Sequence, residues 1–296
     1  MELHHLRYLR SVVRTGSVTA AAEAEFVAQP SVSKQLRQLE REIGVPLFHR
    51  VGRKVVPTDA AFALADLADR VFDDIASTLG EIAGPDSAYG GSLRLCATET
   101  VSDNLLPPVL AGLRRAYPRS HIRVEMLGSE DAIQRVLDDE FDLAIVVLPV
   151  SDSRLEVEPL LREEVLLVVP PGHPWVARPS VSMAEALADP QLLLSMPGLG
   201  LRAMVDAAAR DSGGPLKANL EMRSQQAILS LVASGGGIAF APRMSVERRN
   251  DLTALPIEPA QTREIGWVRR RGRHLPPIAL ELLAALTSAE PAEAAG

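Results

Sequence analysis

The chain has 296 residues, 47% apolar and 23% charged, enough for two or three domains each with a core of its own. Its single cysteine, Cys96, excludes an intramolecular disulfide framework and fits a reducing compartment. The net charge of −7 argues at first against nucleic acid, yet residues 1–57 carry nine Lys/Arg against five Asp/Glu, a basic head of +4 on a body of −11.

The opening MELHHLRYLR has no apolar core of a signal peptide, and no run approaches the roughly 18 apolar residues that span a membrane. A cytoplasmic protein without membrane partners is expected. Leu6, Leu9 and Val13 share one stripe of a first helix. His4 and His5 have no second ligand cluster at metal spacing, so they read as packed or solvated, and no metal is expected. Ser17 then caps an alanine-rich helix over Thr19–Ala24, and the pattern breaks between Phe26 and Gln29. Pro30 suits the first turn of a second helix, in which Val32, Leu36, Leu39 and Ile43 recur at four, three and four, with Gly44 as the C-cap. Its other face carries Pro30, Ser33, Lys34, Arg37 and Arg41. Two short helices with a basic outer face on the second make a helix-turn-helix reader. Val45-Pro46-Leu47-Phe48 supplies apolar anchors, and Arg50-Val51-Gly52-Arg53-Lys54 a basic wing that bends at glycine.

The residues Gly16-Ser17, Ala21-Ala22-Glu23, Gln29-Pro30, Ser33, Gln35-Leu36, Leu39-Glu40, Gly44-Val45, Leu47-Phe48, Arg50 and Thr58 follow one another without gaps. In that order they resemble the winged helix-turn-helix of LysR-type transcriptional regulators. Two positions depart from the family pattern. Ala28 stands where a serine usually caps the reading helix, and Glu25 stands where a leucine usually packs, with Phe26 the candidate to replace it. The resemblance implies that Gln29, Pro30, Ser33, Lys34 and Arg37 enter the major groove, Gln29 and Ser33 toward base edges and Lys34 and Arg37 toward phosphate or guanine. Arg50, Arg53 and Lys54 would fix the register on phosphates.

Thr58-Asp59 caps a long helix to about Ile82, in which Ala61, Ala65, Ala68, Phe72, Ile75, Leu79 and Ile82 form an unbroken a/d series. That spacing reads as a seam between chains; the alternative is an amphipathic helix packed on its own domain. The resemblance implies an antiparallel dimerisation helix, with Ala65, Ala68, Phe72, Ile75 and Leu79 at the seam. Residues 83–91, AGPDSAYGG, read as a linker. Beyond them strands alternate with amphipathic helices, beginning with 92–98, 104–117 and 122–127, which implies a parallel sheet covered on both faces.

Leu105-Leu106-Pro107, Phe141-Asp142-Leu143-Ala144-Ile145 and Leu231 through Ala239 resemble the effector domain of the same family, a two-lobed α/β fold like the type II periplasmic binding proteins. The expected domains are a reader over 1–57, a dimerisation helix and linker over 58–91, and an effector domain over 92–296. Lobe I would take about 92–165 and 269–288, lobe II about 166–268.

Ligands of open α/β folds bind at the carboxyl ends of strands beside helix amino ends. That rule singles out Thr98 and Thr100 after the first strand; Leu199 and Gly200 open a lobe II helix that resembles a family segment facing the cleft, which Ser224 and Gly236 of the glycine run 235–237 would complete. Leu199 in place of a frequent serine suggests a more apolar effector. No GxSxG, P-loop, HExxH or CxxC occurs, the acidic run Asp138-Asp139-Glu140 reads as solvated, and Cys96 reads as an inert core thiol. The chain therefore reads as a regulator of transcription and not an enzyme, without a cofactor, controlled by a small-molecule effector. Its expected partners are double-stranded DNA, a second copy in a homodimer, further copies in a homotetramer, and RNA polymerase. The rival readings are a solute-binding protein or an enzyme on the same two-lobed fold.

Overall fold

The chain divides into two units, Met1–Tyr89 and Gly90–Gly296, and the computed structural model describes residues 1–51, 54–83, 91–211 and 220–288. In unit 1, α1 (Leu3–Thr15) opens at a box in which the Glu2 and His5 side chains bond each other's backbone, and it ends at Gly16 in the left-handed conformation. α2 (Val18–Ala24) is capped by Ser17, whose oxygen accepts from the Ala20 N–H. α3 (Gln29–Ile43) follows Ala28 with no side-chain cap, carries Pro30 in its first turn, and stops at a left-handed Gly44. β1 (Phe48–Val51) and β2 (Lys54–Pro57) pair antiparallel as the wing, Phe48 opposite Pro57 and Val51 opposite Lys54. Leu9, Val12, Val32, Leu39 and Leu47 close the core between these elements.

α4 (Asp59–Ala83) splits the heptad series in two. Ala61, Ala65 and Ala68 are buried within unit 1, where α4 packs on α1. Two ion pairs, Arg10 and Arg14 with Asp69, and the Arg10 guanidinium over the Phe72 ring at 4.7 Å bind the same stretch to α1. Ile75, Leu79 and Ile82 remain exposed at 37%, 38% and 78%. Ala65 and Ala68 thus leave the set of seam residues, because small side chains there let α1 approach and leave nothing for a second chain to touch. The half-buried Phe72 marks the transition. Residues 84–90 of the predicted linker lie outside the described residues.

Unit 2 begins with β3 (Ser92–Ala97), a π-helical turn (Val101–Leu105), α5 (Leu106–Ala116), β4 (His121–Met126), α6 (Ser129–Leu137) and β5 (Leu143–Val147). A long β6 (Leu155–Val169) leads to β7 (Val181–Ser182), α7 (Met183–Ala188), β8 (Leu192–Ser195), α8 (Gly200–Asp211), β9 (Leu220–Met222), α9 (Gln225–Ala233) and β10 (Ile238–Pro242). The chain then forms α10 (Arg243–Val246), β11 (Thr253–Leu255), β12 (Ile257–Glu258), β13 (Gln261–Arg270) and α11 (Pro277–Ser288).

Nine strands join in one sheet, ordered β4-β3-β5-β13-β6-β10-β8-β9 with β11 on β6. Pairing is parallel for β3 with β4 and β5 and for β8 with β9 and β10. It is antiparallel for β13 with β5 and β6 and for β6 with β10. The sheet is mixed where a parallel one was expected, because β6 and β13 run side by side through both lobes and return the chain between them. Each lobe buries both faces of its strands. One core gathers Leu93, Leu95, Leu143 and Ile145 under α5 and α11, another Val136, Phe141 and Val146 under α6. In the second lobe Leu167, Leu192 and Phe240 pack on one face, and Val168, Leu193 and Ile228 on the other.

Candidate DNA interface and effector cleft

The apolar stripe of α3 is consumed by the core, which turns Gln29, Pro30, Lys34, Arg37 and Arg41 outward, all exposed. Gln29 Nε2 donates to Ser33 Oγ at 2.8 Å, and the Nε groups of Arg37 and Arg41 donate to carbonyls one turn back. Among the described residues none of Lys34, Arg37 and Arg41 has a carboxylate within ion-pair distance. Ala28 supplies no capping side chain, Pro30 has no N–H to offer, and the Ser31 N–H donates to the Ala28 carbonyl at 2.9 Å. Glu40 Oε1 accepts from the Leu47 and Phe48 N–H groups at 2.9 and 3.2 Å, which fixes the start of the wing to α3. Arg53 and the side chains of Arg50 and Lys54 lie outside the described residues.

The departure at Glu25 resolves differently from the expectation. Glu25 is held by Arg7, whose Nε lies 3.1 Å from its carboxylate. Phe26 does not take over the leucine's packing; it stands 96% exposed in the turn, at φ 56°. His5 is packed, with Nε2 on Gln35 Oε1 at 2.8 Å.

In unit 2, the carboxyl ends of β3, β5, β8 and β10 meet the amino ends of the π-helical turn, α6, α8 and α9. They enclose a cavity of about 180 Å³. Thr98, Thr100, Leu199 and Gly200 line it, together with Met126, Leu127, Val147, Leu201 and Pro242 as an apolar wall. Gly200 is tight against Val147: a Cβ there would meet its side chain at 3.2 Å. Thr98 Oγ1 is buried and has no hydrogen-bond partner among the described residues, which is costly for a hydroxyl.

Behind Thr100 lies a group of long-range contacts that no local pattern announces. Arg263 donates to Thr100 Oγ1 at 2.7 Å and to Glu163 Oε1 at 2.6 Å, and both charged side chains are over nine-tenths buried. The other oxygen of Glu163 accepts from the Met244 N–H at 3.1 Å. Glu99 reaches across the cleft to α9. Its carboxylate accepts from Ser224 Oγ at 2.7 Å and from the Gln225 and Gln226 N–H groups at 2.9 and 3.4 Å. Burial, and then the charge of Glu99, hold the Asp103 carboxyl above its ordinary range.

Two of the sequence-predicted residues fall elsewhere. Ser224 is a layer behind the wall, as N-cap of α9 and donor to Glu99. Gly236 sits at the opposite end of β10 from the cavity, in the turn after α9, where a Cβ would strike Leu231. The glycine run serves that turn: a Cβ on Gly237, at φ 143°, would lie 2.2 Å from the Gln191 carbonyl oxygen. Glu99, Arg263, Ser129, Val147 and Gln225 line the site without having been singled out as ligands. For Glu99 the signal was its place between two predicted threonines; for Arg263 there was none.

Residues 3–62 match the model of the bacterial regulatory helix-turn-helix proteins of the lysR family, and residues 87–290 match that of the LysR substrate binding domain. The chain belongs to the LysR family. It is a LysR-type DNA-binding transcriptional regulator with an effector-binding domain, and not an enzyme. The hydrogen peroxide-inducible genes activator of Escherichia coli O157:H7 is 31% identical over 281 residues, 93% of this chain and 91% of that one. A solved full-length OxyR variant of Pseudomonas aeruginosa covers 98% of this chain and 95% of its own, with a TM-score of 0.68 and 26% identity. Full-length CbnR in complex with its target DNA shares the fold, with a TM-score of 0.72 at 18% identity over 97% of this chain and 99% of that one. No described helix of this LysR-type chain is long and apolar enough to cross a membrane.

Proposed function

We propose that this LysR-type regulator reads DNA with Gln29, Pro30, Ser33, Lys34 and Arg37 and takes its effector in the cavity bounded by Thr98, Thr100, Leu199 and Gly200. The observation that carries the first half is the outer face of α3, where three exposed cations have no carboxylate within ion-pair distance among the described residues. The second half rests on the cavity itself, where the carboxyl ends of strands meet helix amino ends around an apolar wall. Arg50, Arg53 and Lys54 belong to the phosphate contacts of the wing. Self-association runs through the exposed end of α4, at Ile75 and Leu79, giving a homodimer that pairs two readers on a two-fold site, and a homotetramer by further contacts. The regulator acts in the cytoplasm, without a cofactor, and through contact with RNA polymerase.

A thiol-based peroxide response is not part of this reading. Cys96 is fully buried in β3, and burial first of all pushes its thiol up to about 12, so no reactive thiolate forms at neutral pH. The test is a salt titration of binding to the DNA upstream of its own gene, with a scrambled duplex as control. Specific affinity that falls steeply with salt, and that is lost in Arg37→Ala while the fold persists, is the expected result. Equal affinity for both duplexes, or an unchanged Arg37→Ala variant, would remove α3 from the role given it here.

A further inference from the structure

The amino end of α9 is the place in the cleft best suited to hold an anion, and the chain fills it with its own Glu99. The helix has nine residues, its first free N–H groups point at the carboxylate, and Ser224 adds a hydroxyl. Glu99 comes from the end of β3, more than a hundred positions away in sequence, so this is a tertiary contact across the cleft and not a local cap. An external carboxylate would have to compete with one whose effective concentration is in the millimolar range or above. It would also enter beside Glu99 itself, near Asp103 and with Asp131 on the wall.

The other cations do not reverse this balance. Arg263 is already committed to Glu163 and Thr100, and Arg223 is exposed at the rim, where water and salt screen it. Ser129 and Gly200, at the amino ends of α6 and α8, line the cavity. The cavity of about 180 Å³ is below the size that holds drug-like ligands, and most of its side-chain wall is apolar.

We propose that Glu99 is the specificity-determining residue of the cleft: it occupies the amino end of α9, excludes carboxylate effectors from it, and leaves the site to a small neutral molecule with an apolar body. This rests on the cleft being the effector site.

The experiment compares the thermal stability of the full chain in acetate, acetamide and chloride at matched ionic strength, for the wild type, Glu99→Ala and Glu99→Gln. Acetate raises the Tm of Glu99→Ala, because the vacated amino end of α9 accepts the free anion, and leaves the wild type where chloride leaves it. Acetamide stabilises the wild type at least as much as acetate does. Glu99→Gln keeps an acceptor at α9 without the charge, so acetate raises its Tm less than that of Glu99→Ala; where Glu99→Ala fails to fold, Glu99→Ser, which also vacates the amino end, carries the test. Acetate that stabilises the wild type as much as the variant, or that stabilises neither, overturns the proposal. DNA affinity of the variant with and without acetate is read in parallel. A gain in Tm with no response of DNA affinity upholds the role of Glu99 while refuting the coupling of this cleft to the reader.

Discussion

On α3, Lys34, Arg37 and Arg41 stand exposed with no carboxylate in reach among the described residues, whereas in unit 2 Arg263 is over nine-tenths buried and held between Glu163 and Thr100. Arg94, Arg202, Arg269 and Arg273 of unit 2 likewise each meet an acidic side chain. The reader leaves its cations hydrated and waiting for charge from outside. The cleft supplies its own counterions. Arginine thus stands open on α3 and serves as scaffold around the cleft, and the difference is visible only in what each guanidinium touches.

The sharpest way to break this contrast is to remove the scaffold cation. Arg263→Ala leaves Glu163 buried without its partner and is expected to destabilise unit 2 by about 3–5 kcal/mol, read by denaturant unfolding. Next in size is the open end of α4. Leu79→Glu is expected to weaken self-association by about 2–3 kcal/mol in sedimentation equilibrium without unfolding unit 1, since the side chain is 38% exposed. Ala68→Glu, at a position with no exposure, unfolds unit 1 instead. Arg37→Ala should cost about 1–3 kcal/mol of DNA affinity if it meets a guanine; on a phosphate it lowers the salt slope by about one.

A smaller effect of opposite sign is expected at Phe26. Its positive φ and exposed ring give the fold nothing, so Phe26→Asn raises the stability of unit 1 by roughly 0.5–1 kcal/mol. Smallest is Cys96. Its folded pKa lies above its ordinary value of 9.0, at about 12, so the neutral thiol's contribution is full below pH 9 and fades as pH rises toward 12. At pH 8 iodoacetamide should leave it unmodified in the native protein and label it once the chain is unfolded.

What the sequence made legible follows periodicity. Val32, Leu36 and Leu39 identified α3 by spacing alone, and because that stripe must go inward, the outward residues were named with it. The wing and the strand–helix alternation were legible for the same reason. What escaped depends on partners remote in the chain. Glycines 235–237 are chemically suited to cradle a ligand, but which end of β10 faces the cleft is decided by sheet order. Arg263 looks like any surface arginine until β13 sets it opposite Glu163 on β6. The heptad series in α4 was real, yet spacing cannot say that its first half is covered by α1.

That division of α4 also makes it a lever. Its first half is welded to the reader by Ala61, Ala65, Ala68 and the ion pairs of Asp69, so there is no joint between the recognition helix and the helix that follows the wing. At 25 residues, α4 is about 37 Å long at 1.5 Å per residue, longer than one turn of a DNA duplex. A rigid helix fixed along its first half carries any tilt imposed at Ile75 or Leu79 directly into the helix-turn-helix of unit 1.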